Sequence, residues 1–342
     1  MVDDDKQIVQ KQLDVLSIGD VVTDAFVKLE DNKAWVEDRD GSKVLVMPFG
    51  TKVEYDHAEV IEGVGNAANA AVAFAKLGFS TGFVTNVGGD QWGRDMIQAL
   101  HNNNVDSRFI HINPGKVSNY HYALWYKEER TILIKHEEYD YHWPRFRATD
   151  TPRWIYFSSI SKNALDSYHD QVSDWLEENP DVKLAFQPGT FQMDAGVDRL
   201  RRLYQRTEVL ILNREEAAFV SGGSKDDIHD MMNRFHGLGV KIVVITDGPN
   251  GAYASDGNDR FKMPLYPDPG PPVERTGAGD AFASTFVAAL MHGLPIVGAL
   301  QWAPINSMNV VQYVGAQKGL LNEKEIAELL SKAPEWYKPE RF

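Results

Sequence analysis

Near its C-terminal end the chain reads "VERTGAGDAFASTFVAALMHG", Val273–Gly293, and Gly277, Ala278 and Gly279 run directly into Asp280 and an apolar helix. The start of a helix carries unpaired N–H groups at the positive end of its dipole. Residues with little or no side chain let an anion such as a phosphate approach those groups closely. Asp280 would then stand beside the anion, where a carboxylate can take a proton from an attacking hydroxyl. The plain alternative is that Asp280 caps the helix and the glycines make the turn. Taken alone, the G-x-G-D spacing favours the cap.

Four other clusters carry similar pairs of readings. "EGVGNAANAAVAFAKLG", Glu62–Gly78, fits the dinucleotide pattern G-x-G-x-x-A at Gly63, Gly65 and Ala68. A poor strand precedes it, and the position that needs an acid falls near Asn86 and is not acidic, so a nicotinamide cofactor is disfavoured. Asn69, a polar side chain in the opening of an alanine-rich helix, is the better functional candidate; backbone satisfaction is its plain reading. In "LNREEAAFVSGG", Asn213 can cap a helix and Glu215 or Glu216 can favour its first turn. At the carboxyl edge of a sheet, Asn213 and Glu216 could equally serve phosphates and Mg²⁺. In "VVITDGPNGAYAS" a strand ends at Thr246 and turns through Gly248 to Gly251, as a hairpin or beside a nucleotide. In "SIGDVVTDAFVKL", Asp20 and Asp24 are solvated turn acids or acceptors of hydrogen bonds from hydroxyls. The chain has no Walker-type P-loop, no H-E-x-x-H and no G-x-S-x-G, and its 10 histidines are scattered, so none is assigned to a metal.

The elements that would position these residues alternate. Buried strands are expected at Asp14–Gly19, Thr81–Gly88, Arg153–Ser159, Val182–Phe186, Glu208–Asn213 and Lys241–Gly248. Helical periods lie between them, each ending near Gly or Asn. Such alternation means a mainly parallel sheet covered by helices on both faces, a three-layer α/β/α sandwich. Residues 25–60 and 117–138 break the pattern with strand-like alternation and polar turns. They are expected to form one small sheet of antiparallel strands off the main sheet, used as a lid.

With 342 residues and 43% hydrophobic content the chain can bury a large core, expected over residues 13–335, behind a polar tail at 1–12 excluded from the fold. The absence of cysteine excludes disulfides and thiolate–zinc sites and favours a cytoplasmic setting. No apolar run is long enough to span a membrane. The net charge of -14 argues against nucleic acid as partner. It says little about a small phosphorylated ligand, which senses only local fields.

Together and in this order, the five motifs resemble the PfkB family of carbohydrate kinases, which has the ribokinase-like fold. "GGDQWGRDM", from Gly88, resembles the later part of that family's N-terminal signature, and "RTGAGDAF" its C-terminal one. The resemblance implies transfer of the ATP γ-phosphoryl group to a hydroxymethyl group of a sugar. It implies Asp280 as general base and an anion hole from the N–H groups of Gly277, Ala278 and Gly279. Asn213 and Glu216 would organise Mg²⁺ and phosphates through water, and Thr246, Gly248 and Gly251 would flank the nucleotide. Asp24, Gly65 and Asn69, with Asp20 beside them, would hold the acceptor under the lid. Asn306 would touch adenine or ribose. Glu274 and Arg275 depart from the Asp-Thr usual before the signature, which leaves activation by a monovalent cation open. Tyr120, Tyr122, Trp125 and Tyr126 can stack on a base or sugar, pack the lid, or bury a homodimer through it. A nucleoside kinase of the same fold and a catalytically inactive sugar-sensing protein are the rival readings.

Overall fold

The protein is described here by a computed structural model, which covers residues 12–127 and 129–342; the expected tail lies outside it except for Gln12. Short runs such as "VLSI", "WIYF" and "IVVIT" are apolar except at Ser17, whose hydroxyl donates to the Ala67 carbonyl, and at the terminal Thr246, which suits strands covered on both faces. They form the parallel body of one sheet. Val15–Ile18 lies between Thr81–Gly88 on one side and Trp154–Phe157 on the other. Lys183–Phe186, Thr207–Asn213 and Ile242–Thr246 continue the parallel order outward. Val105–Asp106 and Ile110–Asn113 add to the free side of Thr81–Gly88. At the opposite edge the sheet turns antiparallel through Ala252–Ser255 and Arg260–Met263, and takes in Glu340–Arg341, beyond the expected limit at 335.

Successive side chains of a strand point to opposite faces, and each face has its own core. Tyr156, Val209 and Val244 pack with Phe74 and Phe286 on one side; Ile155, Phe157 and Leu210 pack with Tyr204 and Phe235 on the other. The three-layer α/β/α sandwich expected from the alternation is the observed architecture. Among the described residues no helix is long and apolar enough to cross a membrane.

A smaller sheet stands off the carboxyl edge, in the order Glu129–Leu133, Tyr120–Tyr126, Val22–Leu29, Tyr55–Val64. The expectation of antiparallel strands holds for its two outer pairings and fails at its centre, where Val22–Leu29 runs parallel to Tyr120–Tyr126. The reason is topological. Val22–Leu29 follows Val15–Ile18 and Tyr120–Tyr126 follows Ile110–Asn113, two strands that flank Thr81–Gly88 and run parallel to it, so both enter the smaller sheet from the same edge and point the same way. The hairpin Trp35–Arg39 and Ser42–Val46 forms a separate two-stranded sheet. Its turn is Asp40–Gly41, both at positive φ (53° and 81°), the conformation that two-residue hairpin turns select.

Candidate active site

The helix Ala278–Met291 begins at the carboxyl edge of the main sheet. Its cap position belongs to Gly277, at φ 78°, with no side-chain capping bond. A Cβ there would lie 2.3 Å from that of Ala316, so the turn tolerates only glycine. Gly279 faces open space. The first N–H groups of the helix have no acceptor within it and are free to hold an anion.

Asp280 is not the cap. It is 7% exposed, and its carboxylate is held by three carboxamides from elsewhere in the fold. Oδ2 accepts from Asn69 Nδ2 at 2.8 Å; Oδ1 accepts from Asn66 Nδ2 at 3.0 Å and from Gln187 Nε2 at 3.4 Å. The Tyr156 hydroxyl donates to Gln187 Oε1, which turns the amide nitrogen toward Asp280. Burial raises the pKa of Asp280, and the three amide donors pull it back. Asn66 and Asn69 share one face of the helix Asn66–Lys76, whose buried Ala67, Ala70, Ala71 and Ala73 keep it slim between the sheet and the helix Ala278–Met291. Asn69 Oδ1 in turn accepts from Gln317 Nε2 at 3.0 Å.

In front of Asp280 lies a cavity of about 300 Å³, lined by Asp20, Asp24, Gly65 and Asn69 together with His121, His136 and Arg130 of the smaller-sheet segment. Gly65 sits at φ 112°, and a Cβ there would press on the Asp20 carbonyl at 3.0 Å. Asp20 is buried. Its Oδ1 accepts from the Tyr141 hydroxyl at 2.6 Å, and Oδ2 lies 3.8 Å from His136 Nδ1. Burial pushes the Asp20 carboxyl up to about 6 against that hydrogen bond. Asp24 Oδ1 lies 3.5 Å from His121 Nδ1. Asp24 belongs to the strand Val22–Leu29 of the smaller sheet itself, rather than to the stretch before it.

The remaining candidates line the same sheet edge. Asn213 and Thr246 are register partners on adjacent strands. Asn213 caps the next helix by accepting from Glu216 N at 2.8 Å, and Glu216 Oε2 accepts from Asn213 N at 2.8 Å. The plain reading of this pair is thus physically present. Glu216 also has a raised pKa, through burial first and with the negative charge of Asp280 contributing. Gly251, at φ 91°, lies where a Cβ would strike the Met263 carbonyl at 2.0 Å, whereas Gly248 faces open space. The turn is anchored by Arg214, whose Nη1 donates to Asp247 Oδ2 at 2.7 Å.

Asn306 needs correction. It is fully buried, donating to Thr285 Oγ1 at 2.7 Å and accepting from Leu321 N at 2.9 Å. Its side chain ties the helices Ala278–Met291 and Ile296–Val310 together and leaves no exposed atom to offer a nucleotide.

Sequence reasoning missed Asn66, Gln187, Tyr141, His121, His136 and Arg130. Two of these had a signal. Asn66 precedes Asn69 by three residues and so shares its helix face, and Gln187 follows a buried strand, at the edge where α/β ligands bind. Tyr141 lies in an irregular stretch with no pattern to read.

The family described as "pfkB family carbohydrate kinase" matches residues 47–323. The chain is 24% identical over 320 residues to the ATP-dependent 6-phosphofructokinase of Thermoanaerobacterium thermosaccharolyticum, covering 90% of each protein. It is 29% identical over 264 residues to the cytidine kinase of Thermococcus kodakarensis, covering 74% of this chain and 86% of that one. Among solved structures, Arabidopsis thaliana ribokinase complexed with ribose and ATP shares the fold with a TM-score of 0.76 at 21% identity, covering 93% of this chain and 99% of that one. The chain belongs to the pfkB family of carbohydrate kinases.

Proposed function

We propose that this pfkB-family protein is an ATP-dependent kinase that moves the γ-phosphoryl group to a hydroxymethyl group of a sugar. The observation that carries the reading is the placement of Asp280. A buried carboxylate with its pKa raised, oriented by Asn66, Asn69 and Gln187, stands between an acceptor-sized cavity and an open helix start. Asp280 takes the proton of the acceptor hydroxyl as its oxygen forms the new bond to phosphorus and the bond to the ADP leaving group breaks. The N–H groups of Gly277, Ala278 and Gly279 stabilise the charge on the transferring group, where such donors act most strongly because water is excluded. Asp20 and Asp24 accept hydrogen bonds from the acceptor's other hydroxyls, and the smaller sheet serves as the lid over them.

Mg²⁺, carried by the nucleotide, would neutralise phosphate charge. Among the described residues no three acidic or imidazole side chains gather into a preformed metal site. Glu216, whose charge is felt together with that of Asp280, fits a hydrated Mg²⁺ that keeps its phosphate and water ligands.

The sugar reading is preferred to a nucleoside one because Tyr120, Tyr122, Trp125 and Tyr126 do not line the cavity. Tyr120 packs against Trp92 and Tyr122, and Trp125 lies under Lys28. An intact Asp280 site disfavours an inactive sensor. The deciding experiment is to screen sugars, sugar phosphates and nucleosides for ADP release with ATP and Mg²⁺. Turnover on nucleosides alone overturns the sugar assignment, and turnover on nothing overturns the kinase.

A further inference from the structure

Glu274 stands three residues before Gly277, and its side chain is 2% exposed. Its Oε1 accepts from the backbone N–H of Thr276 at 2.6 Å and from the Thr276 hydroxyl. The same oxygen lies 2.8 Å from Nη1 of Arg130. Arg130 sits on Glu129–Leu133, the outermost strand of the smaller sheet, whereas Glu274 belongs to the main body, where its N–H and that of Val273 donate to the Val311 carbonyl. Arg130, Thr276, Gly277 and Asp280 line one cavity. A charge carried on the lid therefore neutralises a buried acid at the root of the anion-binding turn.

The electrostatics give this pair a consequence. A carboxylate left buried and unpaired is strongly unfavourable. Its negative charge would also oppose an anion arriving at Gly277–Gly279. With Arg130 in place the pair is neutral, and Glu274 Oε1 fixes Thr276, the residue from which the turn springs.

We propose that Arg130 is a positioning residue that couples the lid to the anion hole. With the lid down, Arg130 neutralises Glu274, Thr276 is held, and the N–H groups of Gly277–Gly279 are set for the phosphoryl group. With the lid raised, Glu274 becomes a bare charge and the turn relaxes, so phosphoryl transfer is suppressed until an acceptor has been enclosed. The role in turnover rests on the kinase reading above; the link between Arg130 and the turn does not.

The test is a double-mutant cycle on the full chain with Arg130→Gln, Glu274→Gln and both together, read in two ways. In the identified reaction, Arg130→Gln should lower kcat by about 10²–10³-fold, the range for losing an anion-hole donor. Acceptor KM and ATP affinity should move little, and added guanidinium should restore part of the rate. In the Glu274→Gln background the same replacement should cost less than about tenfold, because no bare charge remains to be neutralised. Independently of any reaction, hydrogen exchange of the segment 273–280 should speed up in Arg130→Gln and recover in the double variant. A raised acceptor KM with intact kcat would make Arg130 an acceptor ligand and overturn the proposal. So would an equal cost in both backgrounds, or unchanged exchange. If thermal unfolding shows that Arg130→Gln does not fold, Arg130→Lys, which keeps the charge and changes the reach, takes its place in the same cycle. If the wild type transfers phosphoryl to nothing, the kinase reading falls and the exchange measurement still decides the link.

Discussion

The two walls of the cavity are finished to different degrees. On the wall built by the main sheet, both oxygens of Asp280 accept hydrogen bonds, and Gln187 and Asn69 are themselves held from behind by Tyr156 and Gln317. On the side that faces the acceptor, Asp20 Oδ2 just after the strand Val15–Ile18, and Asp24 Oδ1, His121 Nε2 and His136 Nδ1 of the smaller-sheet segment, are buried without a hydrogen-bond partner among the described residues. Buried polar atoms without partners are rare and call for a reason. The contrast separates two tasks. The wall that performs chemistry is oriented in advance, which is where electrostatic stabilisation draws its strength. The wall that selects the acceptor holds unmet hydrogen-bonding capacity, which a polyhydroxylated ligand satisfies.

The finished wall is challenged most severely by Asp280→Asn. It keeps the shape and removes the proton acceptor, so kcat should fall by about 10²–10⁴-fold while ATP affinity persists. Single-turnover kinetics beside calorimetric ATP titration measure both, and a kcat near that of the wild type would remove Asp280 from the chemistry. The unfinished wall is challenged by Asp24→Ala. Hydrogen bonds to a charged group contribute about 1.5–3 kcal/mol each, so acceptor affinity should fall by about one to three orders of magnitude. ATP binding should hardly change. Equal loss of both ligands would mean that Asp24 braces the fold.

Glu216 lies between these cases, engaged as a helix cap and also close to Asp280. Glu216→Gln should raise the Mg²⁺ concentration for half-maximal rate by about 10–100-fold, the usual cost of disturbing groups around a metal. An unchanged Mg²⁺ titration would leave it a cap alone. The mildest probe is pH. With its carboxyl pushed up to about 6, Asp20 is ionised and able to accept a hydroxyl hydrogen bond above that pH. Acceptor KM should be flat there and rise about tenfold per unit below it. The effect on stability runs the other way. A folded-state pKa above the unfolded one favours the fold at low pH, and that contribution is lost as pH rises through about 6. Tyr141→Phe removes a donor to the ionised form and should shift the KM inflection upward. A KM independent of pH across this range would take Asp20 out of the acceptor pocket.

What was legible in the sequence follows from range along the chain. A strand covered on both faces needs a mostly apolar run, so "WIYF" and "IVVIT" announce the sheet by themselves. Gly65, Asn69, Gly277 and Asp280 are readable because each lies at a helix opening, where local geometry demands particular residue types. The pairs that complete the site are not local. Arg130 meets Glu274, Tyr141 meets Asp20, and Gln187 meets Asp280 only after the chain has folded, and no spacing rule connects them. Asn306 misled for the complementary reason. A polar residue on a late helix looks available to a ligand, and only the packing reveals that Thr285 and Leu321 occupy it. The parallel centre of the smaller sheet was hidden as well, since alternation marks a strand but not the direction of its neighbour.

That parallel seam also bears on how the chain comes together. Thr23 pairs with Tyr120, and beside it Asn119 Nδ2 donates to the Val21 carbonyl across 98 positions of sequence. Such a contact has no local nucleus and must wait for a long loop to close. During synthesis the strands Val22–Leu29 and Tyr55–Val64 emerge early and can pair with each other, leaving one long edge exposed until Tyr120–Tyr126 arrives. An open strand edge is a template for pairing with other chains. The expected order within the smaller sheet is therefore the pairing of Val22–Leu29 with Tyr55–Val64 first and the seam with Tyr120–Tyr126 afterwards, which pulsed hydrogen exchange during refolding reads directly as later protection of residues 120–126. Until the seam closes, the strand Val22–Leu29 presents that open edge, and each moment of delay extends the hazard.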